Sequence, residues 1–253
     1  MSKGVFRKMK EIIKRLIYLI INLSPTKGVV VLMYHSIGNN DLFFTVKTEE
    51  FEKQMRYLKE NNFNVISLKE LEENLEKGQI PSRTVVITFD DGYKDNLINA
   101  FPILERFNLP AAIFVSIGEM GKIKNLRGNE LEILNEGDVK EIEKTKLISI
   151  EPHTVSHAKL AKLNANEVDY EIRESKKVFG SMLEKTCLYF AYPYGSYNDK
   201  VLAIVKNLGF KLAFTVRKGR IRISTNRLLL PRNSIDSQVS FEQFKNIVRF
   251  GRV

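Results

Sequence analysis

Residues 85–93 read Val85-Val86-Ile87-Thr88-Phe89-Asp90-Asp91-Gly92-Tyr93, and the abrupt change from apolar to acidic decides how the rest of the chain is read. Val85, Val86, Ile87 and Phe89 make a short apolar run that fits a buried strand, and Asp90, Asp91 and Gly92 end it. Two carboxylates are thereby delivered to the mouth of a sheet or barrel, where parallel-strand enzymes keep their sites. One of them could bind a metal while the other stays free to move a proton. Taken alone, Asp-Asp-Gly is equally a turn, because aspartate caps and glycine supplies unusual dihedrals.

Three further clusters follow apolar runs. His35 comes after Val29-Val30-Val31-Leu32-Met33-Tyr34, Pro193-Tyr194-Gly195 comes after Leu188–Ala191, and His153-Thr154-Val155-Ser156-His157 holds two of the chain's three histidines. Histidines four apart share a face if the segment between them turns helically. Two imidazoles and one carboxylate then make a facial ligand set with positions open for water and substrate, which suits catalysis rather than structure. Surface turns alone do not readily produce four such clusters.

The remaining sequence alternates strand and helix. Strands are expected at Val29–Tyr34, Val85–Phe89, Ala111–Val115, Leu147–Ile150, Leu188–Ala191, Leu212–Val216 and Leu228–Leu230, with a short one at Val65-Ile66. Thr48 introduces a helix with Phe51, Met55 and Leu58 on one face, and Ser67 with Glu70 makes a capping box ahead of Leu71 and Leu75. Asn166 is expected to open a helix burying Val168, Ile172 and Phe179; Val201 to Leu208 form another, stopped by Gly209; Ser240 and Gln243 cap the last. This order predicts an α/β fold whose parallel strands close into a barrel, with an open doubly wound sheet as the alternative. Gly118 to Lys146 is the least regular stretch, expected as a surface excursion with a short helix from Asp138, either rimming a substrate groove or merely solvated. Phe43, Phe44, Tyr93, Tyr194 and Tyr197 lie near the motifs and offer faces on which sugar rings stack.

Thr88-Phe89-Asp90-Asp91-Gly92-Tyr93, His153-Thr154-Val155-Ser156-His157 and Phe190-Ala191-Tyr192-Pro193-Tyr194-Gly195 resemble, in order, the three leading motifs of the polysaccharide deacetylase family, the NodB-like carbohydrate esterases. The resemblance runs from about Val29 to about Ile247 and implies an irregular parallel (β/α) barrel of about seven strands. It implies a metal-dependent hydrolase that removes N-acetyl groups from an N-acetylhexosamine-containing glycan or glycoconjugate. Asp90 would be the general base, Asp91, His153 and His157 the metal ligands, and a backbone N–H near Tyr194 part of the oxyanion site. Two departures stand out: many members carry an arginine where this chain has Ala191, and a late catalytic histidine where Leu228-Leu229-Leu230 runs into Pro231-Arg232-Asn233. The opening Leu32-Met33-Tyr34-His35-Ser36 resembles the branch containing poly-N-acetylglucosamine deacetylases, whose general acid is an N-terminal histidine. On that reading His35 is the acid and Arg232 replaces the missing arginine; Tyr93, Lys94 or the substrate itself would be the fallback proton source. An O-acetyl esterase and a non-catalytic glycan-binding descendant are the alternatives.

Two nitrogens and one oxygen select weakly among metals, so zinc is the default and cobalt, nickel, iron or manganese would also fit. At 253 residues, 43% hydrophobic and 28% charged, the chain suits one globular enzyme domain, expected at residues 29–253. A single cysteine, Cys187, reads as a core thiol and excludes an internal disulfide. Of the net charge of +10, +6 sits in residues 1–28, where Lys3, Arg7, Lys8, Lys10, Lys14, Arg15 and Lys27 face Glu11 alone. No basic strip interleaved with aromatics follows, so nucleic acid is not expected as a partner. The basic front with Leu16-Ile17-Tyr18-Leu19-Ile20-Ile21-Asn22-Leu23 is expected as a membrane-surface helix or atypical anchor, with residues 5–23 touching the bilayer, or as a helix packed over the barrel. No cleaved signal is evident, and a membrane or cell-envelope location is favoured over the cytoplasm.

Overall fold

The structure is a computed structural model and describes residues 28–251. All but Gly28 of the basic segment, residues 1–28, therefore lies outside the described residues. Thirteen strands are present among the described residues: β1 (Val29–Tyr34), β2 (Ser36–Ile37), β3 (Thr45–Val46), β4 (Asn64–Val65), β5 (Thr84–Phe89), β6 (Ala111–Val115), β7 (Ile123–Leu126), β8 (Asn129–Glu132), β9 (Ile148–Pro152), β10 (Tyr189–Ala191), β11 (Leu212–Phe214), β12 (Arg220–Ile221) and β13 (Asn233–Ser234). The helices are α1 (Thr48–Glu60), α2 (Leu68–Glu76), α3 (Phe101–Phe107), α4 (Glu136–Lys144), α5 (Ala165–Met182), α6 (Asp199–Asn207) and α7 (Phe241–Phe250).

β1, β5, β6 and β9 pair in parallel, in that order, and β13 pairs in parallel with β1 on its other side. β10 and β11 form a separate parallel pair, joined towards β13 by a bridge between Phe214 and Leu230. β12 is antiparallel to β1, so the main sheet is mixed. Among the described residues no ladder joins β9 to β10, and the barrel-like ring is open at that seam. The expected α/β architecture with parallel strands is thus present, but strand pairing does not close it into a barrel. Leu228–Leu230, expected as a strand, contributes only the bridge at Leu230.

Side chains take over where the ladder is missing. Strand residues alternate the side to which their N–H and C=O point, so those of Ile150 face away from β6 and towards the seam. The Ile150 N–H donates to the Glu143 carboxylate at 2.9 Å, Pro152 has no N–H to satisfy, and the Ala191 carbonyl meets His153 Nδ1 at 2.8 Å. Lys185 links Glu143 at 2.7 Å to Glu151 at 3.4 Å, and the Tyr189 N–H faces the Glu151 carboxyl. Burial pushes that carboxyl up to about 7, a rise tempered by Lys185.

The same alternation separates two cores. Val30, Leu32, Val85, Ile87, Ile113 and Ile150 point outward and pack with Phe51, Met55, Leu104 and Ile142 of the surrounding helices. Val29, Val31, Val86, Ala112, Phe114, Ala191, Leu212, Phe214 and Leu230 fill the interior. Both faces are buried, so these strands read as continuous apolar runs. Capping boxes at Ser67/Glu70 and Ser240/Gln243 occur as expected. Helix α5, however, is capped by Asn164 rather than Asn166, and α4 begins at Glu136 with Asp138 as the reciprocal partner of Asn135. In the first case, Glu167 three residues past Asn164 completes the box. Cys187 is free and buried, as a core thiol should be.

Residues 118–146 are more ordered than their composition suggests. β7 and β8 form a hairpin that bridges to Tyr93 through Ile133, and Leu131 and Ile133 bury against Leu42 and Tyr93. The hairpin is therefore fastened to the Asp-Asp-Gly-Tyr segment and forms one side of the mouth. No described helix is long and apolar enough to cross a membrane.

Candidate active site

Period-two alternation carries the interior column on to the functional side chains. Val86 and Thr88 lead to Asp90, Phe114 to Ser116, and Glu151 to His153, so the carboxyl ends of three strands converge. Thr88 Oγ1 donates to the Leu32 carbonyl at 2.7 Å and Asp90 N–H to the Tyr34 carbonyl at 2.9 Å, which locks the end of β5 to β1. Asp91 and Gly92 both have φ of 71°, and a Cβ at Gly92 would stand 2.9 Å from Val115. This tight left-handed turn separates the two carboxylates.

Asp91 points at the histidines. Its Oδ1 lies 3.0 Å from His157 Nε2 and 3.7 Å from His153 Nε2. One donor atom from each of the three residues lies within 4.8 Å of the others. Each imidazole has its second nitrogen engaged: His153 Nδ1 with the Ala191 carbonyl at 2.8 Å, and His157 Nδ1 with the Tyr194 hydroxyl at 3.2 Å. A carbonyl only accepts, so His153 Nδ1 carries the proton and Nε2 presents a lone pair beside Asp91. The donor set therefore fits a divalent metal. Burial lowers the His153 pKa to about 4, against the raising effect of Asp90, which keeps that ring neutral. Burial pushes Asp91 up, but the His157 hydrogen bond and the charges of His35, His157 and His153 outweigh it and hold the carboxyl well below its usual range.

The segment between the histidines is not the helical turn expected. It is an irregular loop with Thr154 at φ 71° and His157 at φ 57°. Glu171 of α5 organises it, accepting from the Val155 and Ser156 N–H groups at 2.9 Å each and from Ser156 Oγ at 2.6 Å. From the other side Ser116 Oγ donates to the His153 carbonyl at 2.7 Å, and Gly118 N–H to the Val155 carbonyl at 2.8 Å. Sequence reasoning missed Glu171 and Ser116, because both act across long stretches of chain and neither belongs to a motif.

Asp90 turns to Arg232. The guanidinium donates to both carboxylate oxygens at 2.6 Å, to the Thr215 carbonyl at 3.1 Å and to Thr88 Oγ1 at 3.3 Å, and it is fully buried between Phe114 and Phe214. Burial pushes Asp90 up, yet the charges of Arg232 and His153 and the paired hydrogen bonds hold it below its ordinary value. Arg232 thus reaches the Asp90 carboxylate from the approach to β13.

His35 leaves the carboxyl end of β1 half-buried, close enough for its charge to act on both Asp90 and Asp91, with its ring 6.0 Å from Phe44. Its backbone is clamped by residues the sequence did not single out. Asn96 Nδ2 donates to the His35 carbonyl at 2.8 Å, while Asp95 accepts from Ser36 Oγ at 2.5 Å and from the Ile37 N–H at 3.2 Å. Burial raises Asp95 to about 6 despite those bonds. Asn96 starts a π-helical turn, Asn96–Ala100, a feature frequent at functional sites.

The expected aromatics fall into two groups. Phe44 stacks on Tyr93 at 5.5 Å and touches exposed Phe43, on the His35 side. Tyr194 packs against His157 at 4.6 Å on the other side, and Tyr197 packs against Tyr192 at 5.5 Å. Tyr194 itself has φ 58°, held by Pro193 before it and by Gly195, whose Cβ would stand 2.6 Å from Val216 Cγ2. Lys94 instead pairs with Glu132 and Asp138 on the hairpin.

Comparison with known proteins is consistent with this geometry. The family model for polysaccharide deacetylase matches residues 77–213. Bacillus subtilis YxkH is 33% identical over 191 residues, covering 75% of this chain and 64% of YxkH, so the chain spans just under two thirds of that relative. A poly-beta-1,6-N-acetyl-D-glucosamine N-deacetylase of Staphylococcus aureus is 29% identical over 214 residues, covering 81% of this chain and 71% of the enzyme. Among solved structures, the Streptococcus pyogenes deacetylase PplD in complex with acetate superposes with a TM-score of 0.77 at 27% identity, over 88% of this chain and 98% of that one.

Proposed function

We propose that this chain, which belongs to the polysaccharide deacetylase family of NodB-like carbohydrate esterases, is a metal-dependent hydrolase of N-acetyl groups on an N-acetylhexosamine-containing glycan. The observation that carries the reading is the division between two adjacent carboxylates: Asp91 faces His157 Nε2 at 3.0 Å and His153 Nε2 at 3.7 Å, and Asp90 is held separately by Arg232. A divalent metal, zinc by default, held by Asp91, His153 and His157 would polarise the acetyl carbonyl and acidify water.

The chain's own groups account for the remaining tasks. Asp90 is ionised at neutral pH and follows the end of β5 directly before Asp91, which places it to take the proton of the attacking water. The Tyr194 turn exposes a backbone N–H beside His157, suited to the tetrahedral oxygen. His35 stands opposite and delivers a proton to the departing sugar nitrogen, a role imidazole fills near neutral pH. Arg232 keeps Asp90 oriented and charged. The non-catalytic alternative rests on Ala191 and on the missing late histidine; the Arg232–Asp90 pair bears on the first, and turnover that depends on His35 would answer the second.

Acetate release from N-acetylglucosamine oligomers is the test. Asp91→Ala should lose metal and turnover together, whereas Asp90→Asn should retain metal and lose turnover. Retained turnover in Asp91→Ala would sink the ligand assignment. Peripheral membrane contact through residues 5–23 is a separate part of the proposal, supported by the excess of basic side chains there. Neutralising Arg7, Lys8, Lys14 and Arg15 should weaken association with anionic vesicles and leave turnover on a small soluble substrate unchanged; unaltered vesicle binding would reject it.

A further inference from the structure

The side of the mouth carrying Tyr194 bears cations without carboxylate partners. Lys159 lies two residues past His157, with its Nζ 4.8 Å from the centroid of the Tyr194 ring. Tyr194 in turn reaches His157 Nδ1 at 3.2 Å. Gly195 abuts Val216, and the next residue, Arg217, places its guanidinium 5.1 Å from the Tyr197 ring centroid. Arg217 and Lys218 leave the carboxyl end of β11 exposed, on the same face as the Tyr194 turn. None of these three cations joins an ion pair among the described residues, which is also true of surface lysines such as Lys47, Lys69 and Lys211; what sets Lys159 and Arg217 apart is their place over tyrosine rings.

We propose that Lys159 and Arg217 form an anion subsite beside the reacting sugar, and that the substrate is a glycan with a carboxylate or phosphate on a residue neighbouring its N-acetylated sugar. The inference rests on the deacetylase reading and adds the substrate's charge. A neutral glycan is recognised by hydrogen bonds and ring faces, and makes no use of unpaired cations at the mouth. Each deacetylation also leaves an amine that becomes cationic, so a chain of such products is repelled by this rim unless it carries its own anions. The two tyrosine faces hold the cation stems in place before substrate arrives, which reduces the ordering cost of binding. Arg217 presents the planar fork that suits a carboxylate or phosphate, and Lys159 adds a point charge nearer the metal ligands.

The experiment compares the full chain with a Lys159→Gln/Arg217→Gln variant on three substrates: a neutral N-acetylglucosamine oligomer, an oligomer alternating N-acetylglucosamine with a uronic acid, and an N-acetylglucosamine oligomer carrying phosphodiesters. Wild-type kcat/KM should favour one or both anionic oligomers by about 10-fold at low salt, since each solvent-facing ion pair contributes up to about fivefold. The preference should vanish near 1 M salt, where charges are screened beyond about 3 Å. The double variant should lose the preference and keep wild-type kcat/KM on the neutral oligomer; the two anionic arms separate carboxylate from phosphate. Equal wild-type rates on all three substrates, or a variant that falls equally on all of them, would overturn the subsite. So would a variant whose only defect is weaker binding to anionic vesicles. If no oligomer is turned over, the deacetylase reading fails by itself, and calorimetric binding decides the subsite. Binding of the anionic oligomers about 10-fold weaker in the variant supports it, and equal binding refutes it.

Discussion

Replacing Arg232 with methionine keeps the bulk between Phe114 and Phe214 and strands the Asp90 carboxylate. Among the described residues that carboxylate has no other hydrogen-bond partner, and both side chains are almost wholly inaccessible. Breaking a buried pair from one side costs about 3–5 kcal/mol, so Arg232→Met should lose about that much stability near pH 8. The pH dependence then carries the sign. In the wild type, Asp90 lies below its ordinary value, so its contribution is present above the unfolded pKa of about 3.9 and lost only as pH falls through the lower folded value. In the variant, burial acts unopposed by the guanidinium and raises the carboxyl. Ionising it then costs folding free energy, and stability should rise as pH is lowered from 8 towards 4. The wild-type advantage should therefore shrink on acidification, measured by urea unfolding across that range. Asp90→Asn/Arg232→Met, with neither charge, should recover most of the loss. In catalysis, the acidic limb of the pH–rate profile of Arg232→Met should move to higher pH. A deficit independent of pH, together with a double variant no more stable than the single one, would refute the pairing as the determinant of Asp90.

His35→Ala should keep fold and metal while lowering turnover by about 100-fold or more. Asn96→Leu, which releases the His35 carbonyl, should lower turnover without changing metal affinity; a parallel loss of both would assign Asn96 to the metal side instead. Tyr194→Phe removes the partner of His157 Nδ1 and should weaken metal binding by about 10-fold to 100-fold, read by competition with a chelator. Gly195→Ala should cost about 2–4 kcal/mol in chemical unfolding, because a Cβ at φ 62° would meet Val216, and should depress kcat through the displaced Tyr194 turn.

The strands that hold the site were legible because their residues are buried on both faces, so Val29–Tyr34, Val85–Phe89 and Ala111–Val115 appear as unbroken apolar runs. The site itself was legible where a side chain follows its strand directly, as Asp90, His153 and His35 do. Arg232 is reached from the sequence only through the resemblance, as a replacement for the arginine missing at Ala191, since its partner Asp90 is remote in sequence. The conformation between the two histidines escaped the reading for a different reason. Spacing of four is compatible with a helical turn, but the bond that would close one is not made here: the His157 N–H goes to Thr154 Oγ1 at 3.0 Å and the His153 carbonyl accepts from Ser116 Oγ at 2.7 Å. Asn164 and Asn166 are locally similar caps, and the position of Glu167 decides between them. The missing ladder between β9 and β10 could not be anticipated, because the edge atoms are satisfied by Glu143, Glu151 and His153 side chains remote in sequence.

That seam divides the molecule into units that need not open together. In a continuous barrel every strand is protected by two neighbours, and exposure of one amide reports on the whole. Here β10, β11 and the helices against them form a patch whose attachment to β9 is made by side chains alone. Native-state hydrogen exchange should therefore show the Ile150 amide, capped by a carboxylate, exchanging by a lower-energy opening than its ladder-bonded neighbours in β5 and β6. If His153 holds a metal as proposed, its Nδ1 contact with the Ala191 carbonyl across the same line couples a metal at Nε2 to that boundary. Metal binding should slow exchange along the seam more than in β1, which makes the open edge a local gauge of whether the catalytic centre is filled.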